Sequence, residues 1–170
     1  KQFADALAER ARNGVQVRVM VDGIGAAGAG KYARQLKHAG AQVVEYHPLH
    51  WFALTFAQHR NNRTHRKLLI VDGTVGFIGG AGVADEWLGN ADSKKHWRDT
   101  HYRIEGPVVA QLQAAFVDNW IETTGDVLAR QGFFPPLKNA GEHPAQVFKS
   151  SPDNGSESME LLYLLSIAAA

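Results

Sequence analysis

Apolar residues Phe3, Ala4, Leu7, Ala8 and Ala11 recur at helical spacing, and Asn13-Gly14 supplies a stop, which predicts an amphipathic helix over the first dozen residues. The period then changes. Val15, Val17, Val19 and Val21 alternate with Gln16, Arg18, Met20 and Asp22, the pattern of a half-buried strand. A glycine-rich turn leads into a helix over residues 30–38, and residues 41–46 read as a second strand. A strand, a helix and another strand at this spacing predict a parallel pair joined by a crossover. Residues 47–62 are irregular, opened by Pro48 and closed by Asn61-Asn62. Two short apolar runs, 68–71 and 75–78, then flank Asp72-Gly73-Thr74, a strong hairpin signal. Gly79-Gly80-Ala81-Gly82 interrupts regular structure before a helical piece near residues 85–88 and a strand over 100–105. Gly106-Pro107 opens a helix whose apolar face carries Val109, Leu112, Phe116 and Trp120 and which stops at Gly125. The order of elements predicts an α/β fold with a mixed or parallel sheet flanked by helices.

Four of the six prolines lie between Gly132 and Gly155, which reads as a loop or linker, with a short strand expected at residues 146–149. The expected boundary is near residue 150: residues 1–150 form one domain, and 151–170 are a linker and the opening helix of another. Lys1 in place of Met, and an apolar run over residues 161–170, are expected of a piece of a longer polypeptide; a first strand before Lys1 is expected to be missing. The run is too short to span a bilayer.

Composition changes this picture only a little. With 45% hydrophobic and 21% charged residues the chain is globular, and 18 Lys and Arg against 17 Asp and Glu exclude a polyelectrolyte partner for nucleic acid or membrane. Any such attraction is local. The absence of Cys removes disulfides, thiolate metal sites and Cys nucleophiles, leaving 8 His as the chemical resource. His47, His50 and His59 lie in or beside the irregular stretch, but no pairing of His with carboxylates there has metal-ligand spacing, so no metal is expected. His96 and His101 read as surface or strand residues. Trp51, Phe52, Leu54 and Phe56 form an apolar segment suited equally to lipid contact and to core packing under a loop.

Two segments carry candidate chemistry. Gly23-Ile24-Gly25-Ala26-Ala27-Gly28 follows a strand and opens a helix, with Glu45 ending the next strand, so a dinucleotide-binding module using Gly23 to Gly28 is one alternative. A single match of this kind is weak, because strand-to-helix turns commonly hold glycines, and Asp22 would set a carboxylate near the phosphates. The second segment is His65-Arg66-Lys67-Leu68-Leu69-Ile70-Val71-Asp72, followed by Gly79-Gly80. Residues two apart on a strand share a face, so His65 and Lys67 point together, a nucleophile beside a cation. Arg60, Arg63, Arg66 and Lys67, four of the eighteen Lys and Arg, fall within nine residues without an acid, which suits a phosphate or, equally, a solvated basic loop. Asp72 has the opposite parity and begins the Asp-Gly turn, so its expected role is to fix the hairpin.

His-x-Lys, four residues to Asp and six more to Gly-Gly resembles the HKD motif of the phospholipase D superfamily. The likeness extends through Gly14-Val15-Gln16-Val17-Arg18, Val21-Asp22-Gly23-Ile24-Gly25, Arg63-Thr64-His65-Arg66-Lys67, Trp97-Arg98-Asp99-Thr100 and Arg103-Ile104-Glu105-Gly106-Pro107 to the cardiolipin synthase branch, over most of residues 1–128. It also accounts for the glycine turn and so demotes the dinucleotide alternative.

The resemblance implies one half of a two-motif pseudo-dimer that exchanges phosphodiester alcohols through a phosphohistidine, without cofactor or metal. One His attacks phosphorus, a His of the second motif protonates the departing alcohol, and an incoming alcohol reverses the roles. It assigns His65 as nucleophile or acid partner, Lys67 as the cation stabilising the phosphoryl oxygens, and Asp99 as the carboxylate orienting His65. Where the superfamily has Ser and Asn near the glycine pair, this chain has Gly80 and Gly82, whose backbone amides are the expected phosphate donors. Met159-Glu160-Leu161-Leu162-Tyr163 resembles the opening helix of the second half. The partners implied are a phosphatidylglycerol-like phospholipid, a second HKD domain in the same chain or a dimer mate, and the cytoplasmic face of a bacterial-type cell membrane. One HKD motif alone is expected to be inactive. A single-motif phosphodiesterase or nuclease acting as a homodimer, with nucleic acid as partner, is the alternative within the same chemistry.

Overall fold

In the computed structural model the residues described are 1–23, 28, 30–48, 64–128, 130–150 and 158–170. Most of the glycine turn (residues 24–27), the apolar segment Trp51 to Phe56, His50, His59, Arg60 and Arg63 lie outside them. The elements run α1 (Gln2–Arg12), β1 (Arg18–Asp22), α2 (Gly30–His38), β2 (Gln42–Tyr46), β3 (Lys67–Val71), β4 (Val75–Gly79), a 3-10 turn (Asp85–Trp87), β5 (His101–Glu105), α3 (Val108–Thr124) and α4 (Ser158–Ala168).

The expected α/β class is present, with the strands in two sheets. β1 and β2 pair in parallel, Met20 opposite Val44, while β3, β4 and β5 form an antiparallel sheet in that order. Each strand-helix-strand and hairpin signal thus produced its own sheet. The first core lies where α1 and α2 meet the parallel pair: Ala8, Leu36, Ala39, Ala41 and Val43 are buried, with Leu7, Ala11, Val17, Val19 and Ala33 packed around them. Five alanines among these ten residues let helix and sheet approach closely.

α3 is the element common to both sheets, packing on β2 as well as on β3, β4 and β5. Gly106-Pro107 starts it, and Gly125, in the left-handed region at φ 74°, ends it with its N–H on Ile121 O at 2.8 Å. Val109, Leu112 and Trp120 are almost completely buried along its inner face. Removing each from water contributes about 1.5–3 kcal/mol, so α3 fixes the sheet against it by apolar area alone. Gly76 of β4 is the point of closest approach: a Cβ there would stand 2.8 Å from Leu112 Cδ1. Gly76 pairs with Ile70 and Ile104, so those residues share the face turned toward α3.

The hairpin turn follows from its two central residues. Asp72 and Gly73 both have positive φ, 52° and 65°, and Thr74 N donates to Val71 O at 3.0 Å, the twist-matched tight turn for which Asp-Gly is favoured. One expectation fails. Residues 146–149 form no strand; Val147 N donates instead to the side chain of Gln111 at 2.9 Å, and Lys149 pairs with Asp118, so this segment is tied to α3 by side chains and has no ladder partner.

Because Leu112 is buried and has no room to swing aside, Gly76→Ala is expected to lower stability by about 1–3 kcal/mol in urea denaturation. The pair Gly76→Ala with Leu112→Ala is expected to cost less than the sum of the two single changes, since the shortened residue makes the room the methyl needs.

Candidate active site

The segment before β3 is held at two adjoining points. Thr64 N donates to Asp22 Oδ2 at 3.1 Å, and Thr64 Oγ1 accepts from Asn119 Nδ2 at 3.1 Å. Two residues on, Arg66 Nη1 donates to Ala115 O at 3.1 Å and to Asn119 Oδ1 at 2.8 Å. His65 therefore lies between neighbours anchored to β1 and to α3. Arg66 reaches the α3 side, so alternation along an extended chain turns His65 and Lys67 toward the other face. The arginine expected to attract phosphate is instead a strut. Asp22, considered as a carboxylate beside dinucleotide phosphates, accepts the Thr64 amide.

On the outer face Lys67 pairs with Gly79, and Gly79 with His101. Lys67 Nζ donates to His65 O at 3.0 Å. Burial pushes the Lys67 ammonium below its ordinary value, and the carboxylate of Asp99 opposes that shift. Asp99 accepts from Thr100 N through Oδ1 at 2.6 Å, and its carboxylate fills the space where a Cβ of Gly80 would stand. The structure thus brings Asp99 to Lys67 and Gly80. Among the described residues no hydrogen bond joins Asp99 to His65, whose side chain is exposed.

Gly80 N donates to Thr100 O across 3.4 Å, extending the β4–β5 ladder. Gly82 lies against the indole of Trp87, whose Nε1 would be 3.0 Å from a Cβ there, and Trp87 meets Trp97 edge to face at 5.2 Å. Asp72 stands at the other end of the hairpin, five residues along β3 from Lys67, or about 16 Å at ~3.3 Å per residue. Its carboxyl is remote from the amine.

A second polar cluster lies at the end of β2. His47 Nε2 donates to Glu122 Oε1 and Tyr46 OH donates to Glu122 Oε2, both at 2.9 Å, with the two rings stacked at 4.2 Å. Glu122 is three residues past Asn119, so the same helix holds the end of β2 and the segment entering β3, to which Asp22 at the end of β1 is in turn bonded. Among the described residues no three His, Asp or Glu side chains converge as metal ligands would.

Residues 1–120 match the family described as cardiolipin synthase, phospholipase D-like domain. The chain belongs to that family. It is 35% identical over 173 residues to the cardiolipin synthase of Alkalihalophilus pseudofirmus, which covers 99% of this chain and 34% of that protein. The cardiolipin synthases of Halalkalibacterium halodurans and Geobacillus kaustophilus are each 34% identical, over 176 and 174 residues, covering all of this chain and 34% of theirs. The chain thus spans about a third of the length of the curated relatives it matches. No solved structure matches it. These matches favour neither the dinucleotide-binding module nor the homodimeric nuclease. Within this cardiolipin synthase-like domain, sequence reasoning missed the anchoring by Arg66 and Asn119, because each acquires its neighbours only through long-range packing.

Asp99 holds the proton on Lys67 against burial, so removing its charge lets the amine deprotonate at still lower pH. In the full-length protein, Asp99→Asn is expected to shift the alkaline limb of the kcat/KM profile toward neutrality. Lys67→Arg, protonated throughout, is expected to abolish that limb. Asn119→Ala releases Thr64 and Arg66 together and is expected to lower kcat roughly 10-fold or more while leaving the far-ultraviolet circular dichroism unchanged.

Proposed function

We propose that this chain is the first catalytic unit of a phosphatidyltransferase of the phospholipase D type, making cardiolipin from two phosphatidylglycerol molecules. The observation that carries the reading is the anchoring of Thr64 and Arg66 on either side of His65, with Lys67 presented on the face away from α3. Residues 1–150 act as the first domain, and α4 opens a second that carries the partner motif, in the same polypeptide or a dimer mate.

In the first step the imidazole of His65 attacks phosphorus, a P–N bond forms, and the P–O bond to glycerol breaks. Glycerol leaves with a proton supplied by the His of the second motif. In the second step the hydroxyl of another phosphatidylglycerol returns that proton to the same His, attacks phosphorus and regenerates free His65. Lys67 stabilises the charge gathering on the phosphoryl oxygens. Asp99 orients His65 when substrate draws the imidazole inward, whereas the amide of Gly80 is taken by Thr100 O and Gly82 packs on Trp87, so neither serves as the phosphate donor expected of them. Asp72 holds the turn and takes no part in proton transfer.

The reaction occurs at a membrane surface, on the cytoplasmic face, with the domain peripheral to it. Among the described residues no helix is long and apolar enough to cross a membrane.

Full-length protein given phosphatidylglycerol in mixed micelles is expected to release glycerol and form cardiolipin. His65→Ala is expected to lower that exchange at least ~1000-fold, and acid-labile labelling by a phosphate-labelled donor is expected to disappear with it. Exchange at the parental rate by His65→Ala would overturn the assignment.

A further inference from the structure

His101 begins β5 two strands from Lys67 and on the same face, because both residues pair with Gly79 from opposite sides. The strands bearing them are separated by about 9–10 Å, and the residue between them, Gly79, has no side chain. A Cβ on Gly79 would run into Thr100 O and lie 2.7 Å from both Cα and Nδ1 of His101, so the start of β5 and the imidazole stand over that glycine. No larger residue at position 79 leaves this space to the ring. The His101 side chain is exposed, and its ring has no hydrogen-bond partner among the described residues. An N–H donor and an ammonium thus flank one side-chain-free floor, with the segment bearing His65 at its end.

We propose that His101 contacts substrate, its imidazole donating a hydrogen bond to a non-bridging oxygen of the phosphodiester that Lys67 holds from the opposite side. This rests on the phosphatidyltransferase reading and adds a residue to its site. A phosphodiester carries one negative charge over two non-bridging oxygens, and that charge grows as the P–N bond forms. Donors converging from two strands meet both oxygens, which one lysine does not. Imidazole serves in either protonation state, since the neutral ring keeps one N–H.

The test uses full-length protein and two readouts. Exchange with phosphatidylglycerol in mixed micelles gives kcat and KM, and phosphorus NMR titration gives the affinity for inorganic phosphate without requiring turnover. His101→Ala is expected to lower kcat/KM roughly 100-fold and weaken phosphate binding roughly 10-fold. His101→Asn, whose amide can donate from a similar position, is expected to recover most of both, and thermal unfolding of both variants is expected to match the parent. An unchanged phosphate affinity in His101→Ala, or equal losses in the Ala and Asn variants, would overturn the proposal. A parent that binds phosphate through His101 yet exchanges no phospholipid would support the contact and sink the phosphatidyltransferase reading.

Discussion

The orientation of β3 and of the segment entering it depends on one arginine. Backbone alternation puts Arg66 on the face opposite His65 and Lys67, and the bonds of its guanidinium to Ala115 O and Asn119 Oδ1 tie that face to α3. A slip of one residue would carry Arg66 outward and bring His65 and Lys67 against the buried side of α3. Hydrogen bonds to a charged donor contribute about 1.5–3 kcal/mol where they are shielded from water, less at a half-exposed position such as this, yet their main effect is geometric. They remove the alternative register, and Thr64, bonded to both Asp22 and Asn119, removes the freedom that would remain.

α3 unites these effects because it serves both sheets. Its apolar face carries Val109, Leu112 and Trp120 against the strands, while Asn119 extends from it to Thr64 at the entry to β3 and Glu122 to the polar end of β2. The two functions need different partners: burial needs flat, closely approaching strands, and the polar contacts need strand ends. Gly76 supplies the first by leaving space for Leu112. Termination of β2 at Tyr46, and the start of β3 only at Lys67 after Thr64, supply the second. The helix that stabilises the sheet is thus also the helix that orients its chemistry, so core packing and site geometry are one constraint.

Local pattern made most of the elements legible. Valine alternation in β1, the Asp-Gly turn between β3 and β4, and the Pro107 to Gly125 span of α3 each depend on neighbours within a few residues, and all appear where the periodicity put them. Residues 146–149 had strand-like composition but found a helix side chain in place of an edge, an outcome no local pattern encodes. Arg66 read as part of a basic cluster because charge density is visible in one dimension and a partner 49 residues away is not. His101 was passed over for the same reason: its meaning comes from register across Gly79, which exists only once three strands are paired. His65 and Lys67 were legible because their relation is one of parity along a single strand.

The charge balance on the outer face bears on how a nearly neutral chain could present the proposed anion site. Arg66 is committed to α3, so among residues 64–67 the cation facing outward is Lys67. Burial disfavours its charge, and Asp99 restores part of it. An ammonium kept charged by a carboxylate is attracted to a second anion only if that anion brings interactions the carboxylate lacks. A tetrahedral phosphoryl group does so, since its oxygens diverge toward more than one strand, whereas the Asp99 carboxylate is already bonded to Thr100 N beside Gly80. The proposed site would therefore select by shape as well as by charge, with Gly79, which carries no side chain, between β3 and β5.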